Sequence, residues 1–130
     1  MSFSDFIENK VLDSLFGDTP YVPPASFYVA LSKTLPSDAG VITEPSGGNY
    51  SRVQMLNNAT VWPAAVDGVK TSTIPATFPV ASNSWGTVTH YAVFDSFLGG
   101  NMIGWGQLIA SRLIEIGDSF EIPSVSITLN

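Results

Sequence analysis

His90 is the only histidine among 130 residues, and there is no cysteine. As a general base, His90 would need a carboxylate to orient its ring. Asp95 lies five residues along, an odd spacing that turns it to the opposite face of a regular strand. No G-x-S-x-G turn presents a nucleophilic serine. Packing or a strand hydrogen bond is therefore the expected role of His90. One histidine and no thiol leave no multi-histidine or thiolate metal site within one chain.

Paired carboxylates can hydrolyse glycosidic bonds. Asp38 and Glu44 share one loop, and Glu115, Asp118 and Glu121 share a hairpin region. Their spacing sets no working separation, so they read as solvated turn residues. Asp38, Asp95 and Asp118 lack the spacing of a calcium loop. Gly47-Gly48 and Gly99-Gly100 have neither the lysine nor the following helix of a phosphate loop, so both read as turns. The chain is expected to be no enzyme, with no catalytic, metal or cofactor-binding residue and no cofactor; a small hydrolase is the last of three readings. Trp62, Trp85 and Trp105, with Tyr50 and Tyr91, would suit a sugar platform, but core packing is preferred because aromatics supply much of a core's buried area.

The elements around these residues read as mainly β. Trp85–Gly106 is a hairpin: Val88, His90, Ala92 and Phe94 alternate with Thr89, Tyr91, Val93 and Asp95, Gly99-Gly100-Asn101 turns, and Met102–Leu108 returns. Phe27–Ser32 and Tyr50–Leu56 read as strands, with Leu35–Gly48 a long loop between them. Ala59–Trp62 reads as an edge segment. Pro75 breaks a strand over Thr71–Phe78 and assigns it to an edge. Leu113–Ile116 and Ser119–Ile122 read as a second hairpin, and Ser124–Leu129 closes the chain. One helix is predicted over 3–16, capped by Ser2, with Phe3, Phe6, Ile7, Val11, Leu12, Leu15 and Phe16 recurring at helical spacing, Gly17 as its stop and Pro20 preventing restart. Tyr21–Pro24 is an extended linker. The expectation is one domain over 1–130: an N-terminal amphipathic α-helix (1–17) on an antiparallel β-sandwich body (25–130), jelly-roll-like.

Composition narrows function further. Hydrophobic residues make up 45% and charged residues only 12%, against about 25% charged in a typical soluble domain. Such a surface is dressed in Ser, Thr and Asn, covered by partners, or both. The net charge is −6, and the five basic residues, Lys10, Lys33, Arg52, Lys70 and Arg112, form no run. Nucleic acid is not an expected partner, since duplex binding rests on clustered cations. No apolar run reaches the roughly 20 residues of a membrane span, so no membrane contact is expected, nor is a secretory leader.

The pieces FSDFIENKVLDSLFG, PPASFYVALSKTLPSDAG, TEPSGGNYSRV, NNATVWPAA, ATFPVASNSWGTVTHYAVFDS, GGNMIGWGQL, GDSFEIP and SITLN follow in that order. Together they resemble a family of small structural proteins of tailed bacteriophages, often labelled tail fibre or virion structural proteins. Similar small β proteins act as capsid cement or decoration proteins. The likeness covers almost the whole chain, and EPSGG-x-Y-x-R and WGTVTH are its most specific blocks. It implies a non-enzymatic virion component, made in the host cytoplasm, that assembles in copies. A capsid cement or decoration protein on the head exterior ranks ahead of a tail-fibre or tail-tip component binding a host-surface glycan. Its partners would be the major capsid protein or tail proteins, and further copies of itself. The candidate partner contacts are Phe3, Phe6 and Ile7 on the helix stripe, Leu35, Asp38 and Glu44 in the long loop, and Arg52. Arg52 either pairs with Glu44 to pin the loop or lies in a subunit contact.

Overall fold

A computed structural model describes residues 2–129. The helix begins two residues later than its sequence cap suggested. Ser4 is the N-cap, with extended backbone angles of −80° and 160°, and its hydroxyl accepts from the Ile7 amide at 3.4 Å. Helix α1 runs Asp5–Leu15. Ser2 and Phe3 form strand β1 instead, because the edge of a long strand offers their backbone partners: Ser2 pairs with Trp105 and Phe3 with Gly104. The Ser4 hydroxyl also donates to the Met102 carbonyl, tying the cap to that strand. Beyond Leu15, Phe16 caps through its amide to Leu12, and Gly17 at φ +140° leaves the helical path.

Strands β2 (Ser26–Ser32), β3 (Val53–Leu56), β4 (Val69–Thr71), β5 (Ala76–Thr77), β6 (Gly86–Phe94), β7 (Met102–Ile114), β8 (Glu121–Ile122) and β9 (Ser126–Thr128) complete the chain. The main sheet is antiparallel in the order β1-β7-β6-β2-β3. Two small ribbons, β4–β9 and β5–β8, are also antiparallel. Their apolar residues Ala76, Ile122 and neighbouring Val125 pack with Val29, Leu31, Met55, Val93 and Ile114 of the main sheet. The arrangement is mainly β and sandwich-like. The other face of the sheet carries a smaller cluster, Ala30, Ala92, Phe94 and Met102, against which Ile42 of the long loop and Trp105 pack.

Several local expectations change. The hairpin predicted from Leu113–Ile116 and Ser119–Ile122 does not form. Leu113 and Ile114 prolong β7, while β8 pairs with β5, which lets Phe120 and Ile122 reach the core. Pro75 divides the predicted Thr71–Phe78 strand into β4 and β5, which take different partners. Ala59–Trp62 is a turn: the Asn58 side chain accepts from the Thr60 and Val61 amides at 3.0 and 2.9 Å.

The alternation in β6 also slips. Val88 pairs with Arg112 but His90 pairs with Gln107, so Leu108–Ser111 has no paired residue on β6. Across that irregularity the faces exchange: Val88 joins Val93 in the main core, while Ala92 and Phe94 lie on the other side.

Candidate functional site

The long loop after β2 is tied down by one hydroxyl and one guanidinium. Ser32 Oγ donates to the Thr34 carbonyl at 2.7 Å and accepts from the Thr34 and Thr43 amides at 3.3 and 3.1 Å. Further along, Arg52 reaches from the start of β3 into a nearly closed site, where it is 8% exposed. Its Nε donates to Glu44 Oε1 at 3.0 Å and its Nη2 to Glu44 Oε2 at 2.9 Å. Its Nη1 donates to the carbonyls of Ser96 and Gly99 at 2.9 and 2.8 Å. The guanidinium carbon lies 3.9 Å from the Phe94 ring centroid. Arg52 thus joins the long loop to the β6–β7 turn. Of the two roles open from sequence, pinning of the loop through Glu44 is the one present in the geometry.

Tyr50 completes this cluster. Its hydroxyl donates to Glu44 Oε1 at 2.8 Å and accepts from the Leu31 amide at 3.0 Å. Burial, with the Glu44 carboxylate beside it, pushes the phenol's pKa well above its ordinary value. The Tyr50 ring stacks on Phe78 and meets Trp85 edge-on, and Trp85 Nε1 donates to the Gly48 carbonyl at 2.8 Å. The EPSGG-x-Y-x-R block is therefore one physical unit: Glu44, Gly48, Tyr50 and Arg52 each hold the same loop.

The residues considered for chemistry are dispersed into separate structural contacts. His90 Nδ1 lies 2.7 Å from the Thr89 hydroxyl, and its ring meets Trp105 edge-on at 5.8 Å. Asp95 closes the β6–β7 turn by accepting from the Asn101 amide and side chain at 2.7 and 3.0 Å. Asp38 accepts from Trp105 Nε1 at 3.1 Å, Asp118 from the Glu115 amide at 2.9 Å, and Glu121 from the Thr77 hydroxyl at 3.2 Å. Among the described residues, no three His, Asp or Glu side chains gather into a group that would hold a metal. Trp62 and Trp85 lie in the core at 6% and 2% exposure, and Trp105 is half-buried. The three indoles do not form an open platform.

The seven candidate contacts fall into unlike places. Ile7 is buried against the body, and Phe3 and Phe6 are half-buried, with Phe6 edge-on to Tyr21. Phe6 and Asp38 line one hollow of about 340 Å³ where the start of α1 meets the loop. Glu44 and Arg52 line another of about 230 Å³ beside Phe97 and Leu98. Leu35 is exposed. Other apolar side chains are exposed as well: Leu12, Leu15 and the C-cap Phe16 of α1, Leu98 in the β6–β7 turn, and Ile109 and Ile116 in and after β7. The helical period extends past Ile7 and marks the first three, but nothing local in the sequence marks Ile109.

A scan against family models matches residues 2–130 to the family described as podophage GP4 fiber I protein gp80. No curated protein matches the chain. The family match agrees with the resemblance carried by the EPSGG-x-Y-x-R and WGTVTH blocks. Since it spans all but the first residue, the chain belongs to the podophage GP4 fiber I protein gp80 family, a family of phage virion structural proteins.

Proposed function

We propose that this chain is a non-enzymatic subunit of a phage fibre that works by contact with other virion proteins and with further copies of itself. The single observation that carries the reading is the family match over residues 2–130, whose description is of a fibre protein. Two features support it. The side chains with catalytic potential are engaged in loop and turn contacts, and α1 keeps its outer apolar residues uncovered. A rigid loop cluster around Arg52 suits a part that must hold its shape under load. Weak contacts repeated along an assembly gain strength through effective concentration.

The capsid-cement reading, with the major capsid protein as partner, is supported by the low charge and the docking helix; it ranks second because the family description favours a fibre. Glycan binding by tryptophans draws little support from indoles that are buried or engaged with Asp38. Separation of heads from tails, followed by mass spectrometry of each, tests the proposal. The protein should travel with the tails. Recovery with heads alone would overturn the fibre reading in favour of cement, and absence from virions would overturn both.

A further inference from the structure

The apolar stripe of α1 lifts away from the body as it advances. Ile7 is 6% exposed, Val11 37%, Leu12 55%, Leu15 70% and Phe16 79%. The body of the chain takes the first turn of the stripe and leaves the last. A helix of this length is marginal without packing. The same end is electrostatically incomplete. Its last turn carries no basic residue, and Asp13 and Asp18 flank it. A helix C-terminus is stabilised by a nearby cation.

The complementary surface lies between β7 and β8. A groove of about 360 Å³ is lined by Tyr91, Leu108, Ile109, Phe120, Ile122 and Pro123, with Glu121 on the β8 side. It runs along the irregular stretch of β7 where Leu108–Ser111 has no paired residue on β6. Arg112 stands at its border. The Arg112 guanidinium lies 5.6 Å from the Phe120 centroid and donates one N–H to the Ser119 carbonyl at 3.2 Å, and the residue is exposed.

We propose that the Leu15–Phe16 end of α1 in one copy docks in the β7–β8 groove of the next copy. Arg112 of the receiving copy then faces Asp13, Asp18 and the last carbonyls of the arriving helix. The occupant is a second copy because one chain carries both halves: an apolar knob with an acidic border, and an apolar groove with Arg112 beside one border and Glu121 on the other. Of the other cations, Arg52 is buried, Lys10 lies over Phe6 on α1 itself, Lys33 follows the end of β2 and Lys70 lies in β4; none of them lines the groove. Glu121 repels the acidic flank of the helix and so sets its orientation. Such a contact joins two different patches, so repetition gives a ring or an open row of copies. This rests on the fibre-subunit reading and specifies its self-contact.

The chain has no cysteine, which makes a cross-linking test clean. The full chain with Leu15→Cys and Ile109→Cys together should give a ladder of disulfide-linked species on oxidation. Mixing the two single variants should give a linked dimer and nothing larger. Arg112→Glu should weaken association about tenfold or more and abolish the ladder; adding Asp13→Arg should recover it. Phe16→Ser, on the exposed end of α1, should weaken association independently. Circular dichroism of each variant must match the parent. A chain that sediments only as a monomer and forms no ladder overturns the proposal. So does a dimer from Leu15→Cys alone, which would mean that helices meet each other. Presence in the tail fraction without a ladder would overturn this contact and leave the fibre reading intact. A ladder from a protein missing from virions would do the reverse.

Discussion

Arg52 and Glu44 meet through two parallel hydrogen bonds of 3.0 and 2.9 Å, and the same guanidinium holds two carbonyls of the β6–β7 turn. Two segments far apart in sequence therefore depend on one side chain.

Replacing Arg52 should be among the most damaging single changes. Arg52→Ala takes two of three hydrogen bonds from the Glu44 carboxylate, leaving the one from Tyr50, and removes the guanidinium from the Ser96 and Gly99 carbonyls. Breaking a fully buried ion pair from one side costs about 3–5 kcal/mol; Glu44 is 27% exposed, so the loss here should fall toward the lower end of that range. Arg52→Lys should recover little, because an ammonium cannot supply the planar fork. Urea unfolding midpoints measure both; a loss under about 1 kcal/mol for the alanine variant would refute the clamp.

Stability should fall in alkali. Burial raises the pKa of Tyr50, and likewise of Tyr91 and Tyr21, above the ordinary phenol value. The unfolded chain releases these protons near pH 10, while the folded chain still holds them. The contribution is thus full below about pH 10 and is lost as pH rises toward the folded-state value. Tyr50→Phe should flatten part of this decline while costing about 1–2 kcal/mol at neutral pH through the Leu31 and Glu44 hydrogen bonds. Unfolding series at neutral and alkaline pH compare the two.

Gly106 makes room for Tyr91. A Cβ on Gly106 would stand 2.6 Å from the Tyr91 Cζ and hydroxyl. Gly106→Ala should cost about 1–3 kcal/mol through overpacking, and Tyr91→Ala in the same chain should relieve the clash. A thermodynamic cycle of the two variants should show coupling; strictly additive losses would mean that the tyrosine is not the obstacle.

The two halves of the helix stripe should answer differently. Ile7→Ala removes a buried side chain, and such truncations cost about 2–5 kcal/mol. Leu15→Ala and Phe16→Ala alter exposed positions and should stay within about 0.5 kcal/mol in the isolated chain. Thermal melts at low protein concentration separate them; an early melt for Phe16→Ala would show that the outer turn supports the fold.

Features with a local cause were legible in the sequence. The β6–β7 hairpin follows from period-two apolar residues and a Gly-Gly-Asn turn, and α1 from its 3.6-residue stripe. The Glu44–Arg52 pair was one of two open alternatives, since opposite charges eight residues apart across a glycine turn can meet. The sequence pointed to Ser2 as the cap; Ser4 takes that place because its hydroxyl reaches the Met102 carbonyl and residues 2–3 pair with the edge of β7, which no local pattern encodes. The same holds for Leu113, whose alternation fits either a new strand or the continuation of β7.

By itself the sequence determined a β-rich chain with one N-terminal helix and without thiol chemistry. Those are matters of composition and short-range period. Only the tertiary structure decided that β8 pairs with β5, that the faces of β6 exchange near Thr89, and that Trp62 and Trp85 turn inward while Leu15, Phe16 and Ile109 stay out. Each of these is settled by competition for a limited buried volume between segments distant in the chain. An apolar residue has the same local preference whether it wins that competition or is left on the surface.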